Sequence, residues 1–167
     1  MMLKRWQGMW FIFLSFIVSM MLDILPLPTW VAFWWPDWSA LVLIYWCIAV
    51  PHRVGIVTGW SVGIFHDLLN DTLLGQQALG LCLITYLCVK WHRRLRFFPP
   101  LQQSIFVGGL VAMKNFLVFS SAWIQGLGLV QQIPATWTFL YPAVTSMLLW
   151  PWIFVILRDI RRIYQIN

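Results

Sequence analysis

Residues 39–72 read SALVLIYWCIAV-PHR-VGIVTGWSVGIFHDLL-NDT. Two apolar runs, 39–50 and 54–69, are separated by Pro51-His52-Arg53 and closed by Asn70-Asp71-Thr72. Apolar and polar residues do not alternate along these runs, which argues against the strands of a membrane β-barrel. Neither run carries a consistent charged face, which argues against helices lying flat on a membrane surface. Both read as helices that cross or enter a bilayer. Each is shorter than the roughly 20 residues that a spanning helix needs, so one of them could be tilted, broken or only partly inserted.

The pattern extends in both directions. Upstream, 9–25 is apolar and follows Lys4 and Arg5. No small-x-small cleavage site follows it, so it reads as an uncleaved first span rather than a signal peptide. Pro26 and Pro28, which lack a backbone donor, end it. The stretch that follows holds Trp30, Trp34, Trp35 and Trp38, and tryptophans gather at the membrane–water interface. Downstream come apolar runs at 73–89, 101–123 and 139–157, with a polar, uncharged, Gly-containing loop at 124–138. The 167 residues are 61% apolar and 10% charged, against about a quarter charged in a soluble domain. That composition excludes a soluble globular enzyme, a disordered chain and a disulfide scaffold. The expectation is one all-α integral membrane domain over 1–167 with six spans and no room for an extramembrane domain.

Charge placement tests the count. If both termini are cytoplasmic, the inside segments hold Lys4, Arg5, Arg53, Lys90, Arg93, Arg94, Arg96, Arg158, Arg161 and Arg162, which are ten of the eleven basic residues. The outside loops hold none, as the positive-inside rule requires. These cations read first as topology determinants that also attract anionic lipid, and second as contacts for a cytoplasmic protein. The net charge of +6 therefore needs no nucleic acid. Cys47, Cys82 and Cys88 all lie in apolar runs and fit neither a zinc spacing nor a CxxC pair, so they read as small buried hydrophobes.

Four residues spaced by four, Gly55, Gly59, Gly63 and Asp67, share one helix face. Small residues let another helix backbone approach closely. The stripe therefore reads either as packing inside the bundle or as a groove for a partner's helix. Asp67 lies two residues from the end of its run, where it either caps at the interface or anchors helix packing from a buried position. Asp23, His66 and Lys114 are the other relay-competent titratable groups in or near the spans, too few for a proton relay. Lys114, near mid-span, is expected to pair with Asp67 or Asp23, or else to snorkel past Asn115. The chain shows no Ser–His–Asp set, HExxH, P-loop or paired carboxylates on adjacent spans. His52 and His92 are placed inside and His66 outside, so they cannot share a metal. No enzyme activity, metal or cofactor is expected.

Ala49-Val-Pro51-His52-Arg53-Val, Thr58-Gly59-xxx-Gly63-xxx-Asp67-Leu68-Leu69, Thr72-Leu-Leu74-Gly75, Ala78 and Thr85-Tyr86-Leu87 carry a resemblance, together with Leu149-Trp150-Pro151-Trp152-Ile153-Phe154 at the start of the C-terminal cytoplasmic end. The chain resembles the rod shape-determining MreD family of proteobacteria over nearly its whole length. The resemblance implies a multi-pass subunit of the inner (cytoplasmic) membrane in the cell-wall elongation, or Rod, complex. It implies association with MreC and, through it, with MreB filaments, RodA and a class-B penicillin-binding transpeptidase. It implies no enzymatic chemistry, and a fold similar to the S component of energy-coupling-factor transporters. Residues 101–123 resemble the family less, so Lys114 inherits no role. A vitamin-binding S component is the alternative, with Asp71, Gln76, Gln77, Gln125, Gln131 and Gln132 available to line an outer pocket. A channel or proton-coupled transporter would want internal repeats, and none is convincing.

Overall fold

A computed structural model describes residues 2–32, 34–70, 73–124 and 140–163. Among the described residues there are seven helices and no strand: α1 (Met2–Asp23), α2 (Thr29–Ala32), α3 (Trp38–Ala49), α4 (Ile56–Leu69), α5 (Gln76–Phe97), α6 (Pro100–Ile124) and α7 (Tyr141–Ile163). The six apolar runs each form one helix, α1 and α3 to α7, and α2 is a single turn within the Trp-rich connection.

Helices α5 and α7 run further than their apolar runs predict. The basic segments 90–96 and 158–162 are helical rather than loops. Lys and Arg are good helix formers, and basic side chains suit a helix C-terminus, where the dipole is negative. Only Pro99-Pro100 stops α5, because the residue before a proline is pushed out of the helical region. The Trp150-Pro151-Trp152 motif is also displaced from its expected place. It lies inside α7, not at the start of a cytoplasmic end. Trp150 is fully buried and Trp152 is exposed, so the motif straddles the helix.

The short helix α3 is the axis of the bundle. It packs against α1, α5, α6 and α7, and every residue from Ser39 to Ile48 is buried. At 12 residues and 1.5 Å per residue it is about 18 Å long, against a hydrocarbon core of about 30 Å. Helix α6 bridges α5 and α7, while α4 packs on the outer side of α5. Indole donors tie the layers together. Trp46 Nε1 donates to Ser15 Oγ (2.8 Å), Trp35 Nε1 to the Leu22 carbonyl (3.0 Å) and Trp150 Nε1 to Gln103 Oε1 (3.3 Å). Gln103 in turn donates to the Leu95 and Phe98 carbonyls that end α5.

The outer surface is apolar. Trp10, Phe13, Val57, Phe65, Leu68, Leu79, Leu101, Ile105 and Leu148 are all exposed. Residues 100–121 of α6 and 141–162 of α7 are long and apolar enough to cross a membrane by length and composition. Such a surface suits contact with lipid, which demands no polar shell.

Candidate functional site

Several buried polar residues, among them Ser39, His66, Lys114 and Ser146, converge where α3 begins. Its first backbone N–H groups have no partner within the helix, and two carboxylates supply one. Asp37 is the N-cap, accepting from Ala40 N (3.1 Å). Asp23, the last residue of α1, accepts from Trp38 N (3.1 Å), Ser39 N (3.0 Å) and the Ser39 hydroxyl. Negative charge at this end also meets the positive pole of the helix dipole.

Three further helices reach the same place. The Lys114 ammonium of α6 pairs with Asp37 Oδ2, and both side chains are buried. The backbone N–H of Asp37 donates to Ser146 Oγ of α7 (3.2 Å). His66 of α4 sets its Nε2 3.4 Å from Asp23 Oδ2. On the other side of that ring, Asn70 Nδ2 approaches Nδ1 at 3.1 Å and also donates to the His66 carbonyl (3.0 Å).

Asp67 closes the hub on the α5 side. It is fully buried and accepts from Gly75 N (2.8 Å), Gln77 N (2.8 Å) and Ala78 N (3.3 Å). Gly75 precedes α5 with φ 103° and has no side chain to cap it. The carboxylate from α4 therefore caps α5 in its place.

The expected partner of Lys114 was Asp67 or Asp23; the structure gives Asp37 instead. Both expected carboxylates are occupied by helix N-termini. Asp37, the N-cap of α3, faces α6 and so meets Lys114. Gly80 of α5 lets the lysine stem pass, since a Cβ there would lie 2.6 Å from Lys114 Cγ. The Trp-rich connection is likewise not wholly interfacial: Trp30 and Trp34 are exposed, while Pro36 is buried and Asp37 enters the core.

The glycine stripe has its neighbour within the chain. A Cβ on Gly59 would lie 3.0 Å from Thr85 Cβ and 3.2 Å from the Leu81 carbonyl oxygen. One on Gly63 would lie 2.8 Å from the Ala78 backbone nitrogen. Helix α5 thus fills the space a separate partner helix would need against these two residues. Gly55, ahead of α4, has nothing within 4 Å.

The basic residues gather at the opposite end of α3. Arg53 lies in the turn after α3, Lys90, Arg93, Arg94 and Arg96 lie in the last turns of α5, and Arg158, Arg161 and Arg162 lie in those of α7. Lys90 also lies 5.7 Å from the centre of the Tyr86 ring. Of the outer polar residues, Gln76 donates to the Val118 carbonyl (3.0 Å). Asp71, Gln125, Gln131 and Gln132 lie outside the described residues. Among the described residues no group of three or more His, Cys, Asp or Glu side chains is placed to hold a metal. Sequence reasoning missed Asp37, Ser146 and Gly80. Asp37 alone carried a signal, as an Asp two positions ahead of the 39–50 run, close to the usual place of an N-cap.

Comparison with known proteins names this arrangement. Residues 4–160 match the family model of rod shape-determining protein MreD. The curated rod shape-determining protein MreD of Haemophilus influenzae is 34% identical over 156 residues, which cover 92% of this chain and 92% of that one. No solved structure matches. The family match takes in every hub residue from Asp23 to Ser146 and the basic end as far as Asp159. This helical membrane protein belongs to the MreD family of rod shape-determining proteins.

Proposed function

We propose that the chain is a non-enzymatic scaffold of the bacterial inner membrane, crossing it six times with both termini in the cytoplasm. In this reading it binds MreC and helps to hold MreB, RodA and a class-B penicillin-binding transpeptidase together during lateral wall synthesis. The S-component-like fold implied by the family resemblance belongs to the same reading. The observation that carries it is the hub, in a chain of a shape-determining family. Asp23, Asp37 and Asp67 all serve helix ends, and Lys114 and His66 face two of them. A site that processes or transports a substrate needs polar groups aimed at it. Here they fix the mutual placement of six helices, which is what a rigid platform requires. The gathering of basic side chains at one end supports the orientation.

In-cell crosslinking followed by gentle solubilisation, affinity capture of this chain and mass spectrometry tests the reading. Recovery of MreC with RodA or the transpeptidase is the expected result. Recovery of a transporter coupling subunit with its ATPases would overturn it in favour of a vitamin-binding S component.

A further inference from the structure

Two adjoining cavities open at the basic end, beside the last turn of α3. The outer, of about 230 Å³, is lined by His52 from the α3–α4 turn, His92 and Arg96 from α5, and Arg161 from α7. The inner, of about 100 Å³, shares Arg96 and Arg161 and adds Arg158. Its remaining wall includes Tyr45, Ile48 and Phe154. Three guanidinium groups and two imidazoles from three parts of the chain thus face one cleft. Among the described residues no carboxylate lines it. Asp159 lies 3.8 Å from Arg158 but outside both cavity walls.

Like charges brought together repel, and a cleft of this kind is most stable with an anion in it. The Arg161 side chain makes one long contact, Nη1 to the Ala49 carbonyl at 3.5 Å, and a guanidinium carries five N–H donors. Its planar fork matches the oxygens of a phosphate. The surroundings identify which phosphate. Trp91, Phe97 and Phe98 are exposed on the same end of α5, and aromatic residues of this kind sit at the level of lipid headgroups. The apolar inner wall suits the glycerol and upper acyl carbons that follow a headgroup into the bilayer. We propose that this cleft is a binding site for the headgroup phosphate of an anionic phospholipid, held by Arg96 and Arg161.

The test is native mass spectrometry of the full-length protein titrated with phosphatidylglycerol against phosphatidylcholine. The purified protein should retain phosphatidylglycerol in preference. The double variant Arg96→Gln/Arg161→Gln should lose about tenfold in that preference, the scale of a charge-assisted hydrogen-bond pair. Arg93→Gln/Arg94→Gln removes the same charge from exposed positions on the same helix, and should lose much less. Equal losses in the two double variants would overturn the proposal, because diffuse attraction would then account for both. Displacement of the lipid by millimolar inorganic phosphate would also overturn it, in favour of a soluble anion. If the cleft variant does not elute as a folded species, Arg96→Lys/Arg161→Lys keeps the charge and removes the forks. It too must lower the preference, and an unchanged preference would sink the site.

Discussion

The two ends of α3 handle charge in opposite ways. At its start, the carboxylates of Asp23 from α1 and of the N-cap Asp37 face His66 of α4 and Lys114 of α6 in a buried cluster, each held by named partners. At its finish, arginines of α5 and α7 stand half-exposed or exposed with one described carboxylate, Asp159, among them. Removing one partner from a buried pair leaves a charge that nothing screens. Removing one arginine from an exposed cluster relieves repulsion as much as it removes attraction. The contrast separates what holds the bundle together from what sets how it sits in its surroundings.

The largest effect that can break this contrast is expected at Lys114. Lys114→Met leaves Asp37 buried and unpaired, which should cost about 3–5 kcal/mol, read as a large drop in the melting temperature of the detergent-purified protein. Lys114→Met with Asp37→Asn removes both charges and keeps a good N-cap, so most of that loss should return. A double variant as unstable as the single one would show that the pair matters for something other than charge balance. Next comes the α4–α5 contact. Gly63→Ala places a methyl group against the Ala78 backbone and should cost about 1–3 kcal/mol as overpacking. Gly109→Ala, where nothing lies within 4 Å, should be neutral or slightly stabilising. Asp67→Asn keeps the shape but turns one of two accepting oxygens into a donor set against a backbone N–H, and should cost about 1.5–3 kcal/mol, the scale of hydrogen bonds to a charged group. The smallest effect is expected at the other end. Arg93→Gln/Arg94→Gln should move stability by no more than about 0.5 kcal/mol, while topology mapping by cysteine labelling reads any change in orientation. A destabilisation there comparable to that of Lys114→Met would erase the distinction between the two ends.

Much of this arrangement is legible in the sequence, and the failures share a cause. Apolar runs bounded by proline or polar residues locate the long helices, since a backbone in lipid must satisfy itself within the helix. The four-residue spacing of Gly59, Gly63 and Asp67 places them on one face, but spacing does not say which helix meets that face. The answer lies in Thr85 and Ala78, whose small size is ordinary in any apolar run. The partner of Lys114 was missed because Asp37 falls in the Trp-rich connection, which reads as interfacial, outside the apolar runs. In the fold that residue caps α3 and its side chain is buried against Lys114. Gly80 gave no warning because its neighbour, the Lys114 stem, is 34 positions away in sequence and no periodicity links them.

The pairing of Asp37 with Lys114 also has a consequence in time. The two residues are separated by 77 positions, and a ribosome adds about 5–20 residues per second. For several seconds during synthesis the start of α3 has its carboxylate but not its counter-ion, and Ser146 arrives later still. The central helix of the finished bundle is therefore among the last to settle. A nascent chain ending before residue 114 therefore has the Asp37 carboxylate without its counter-ion, and its core is unfinished.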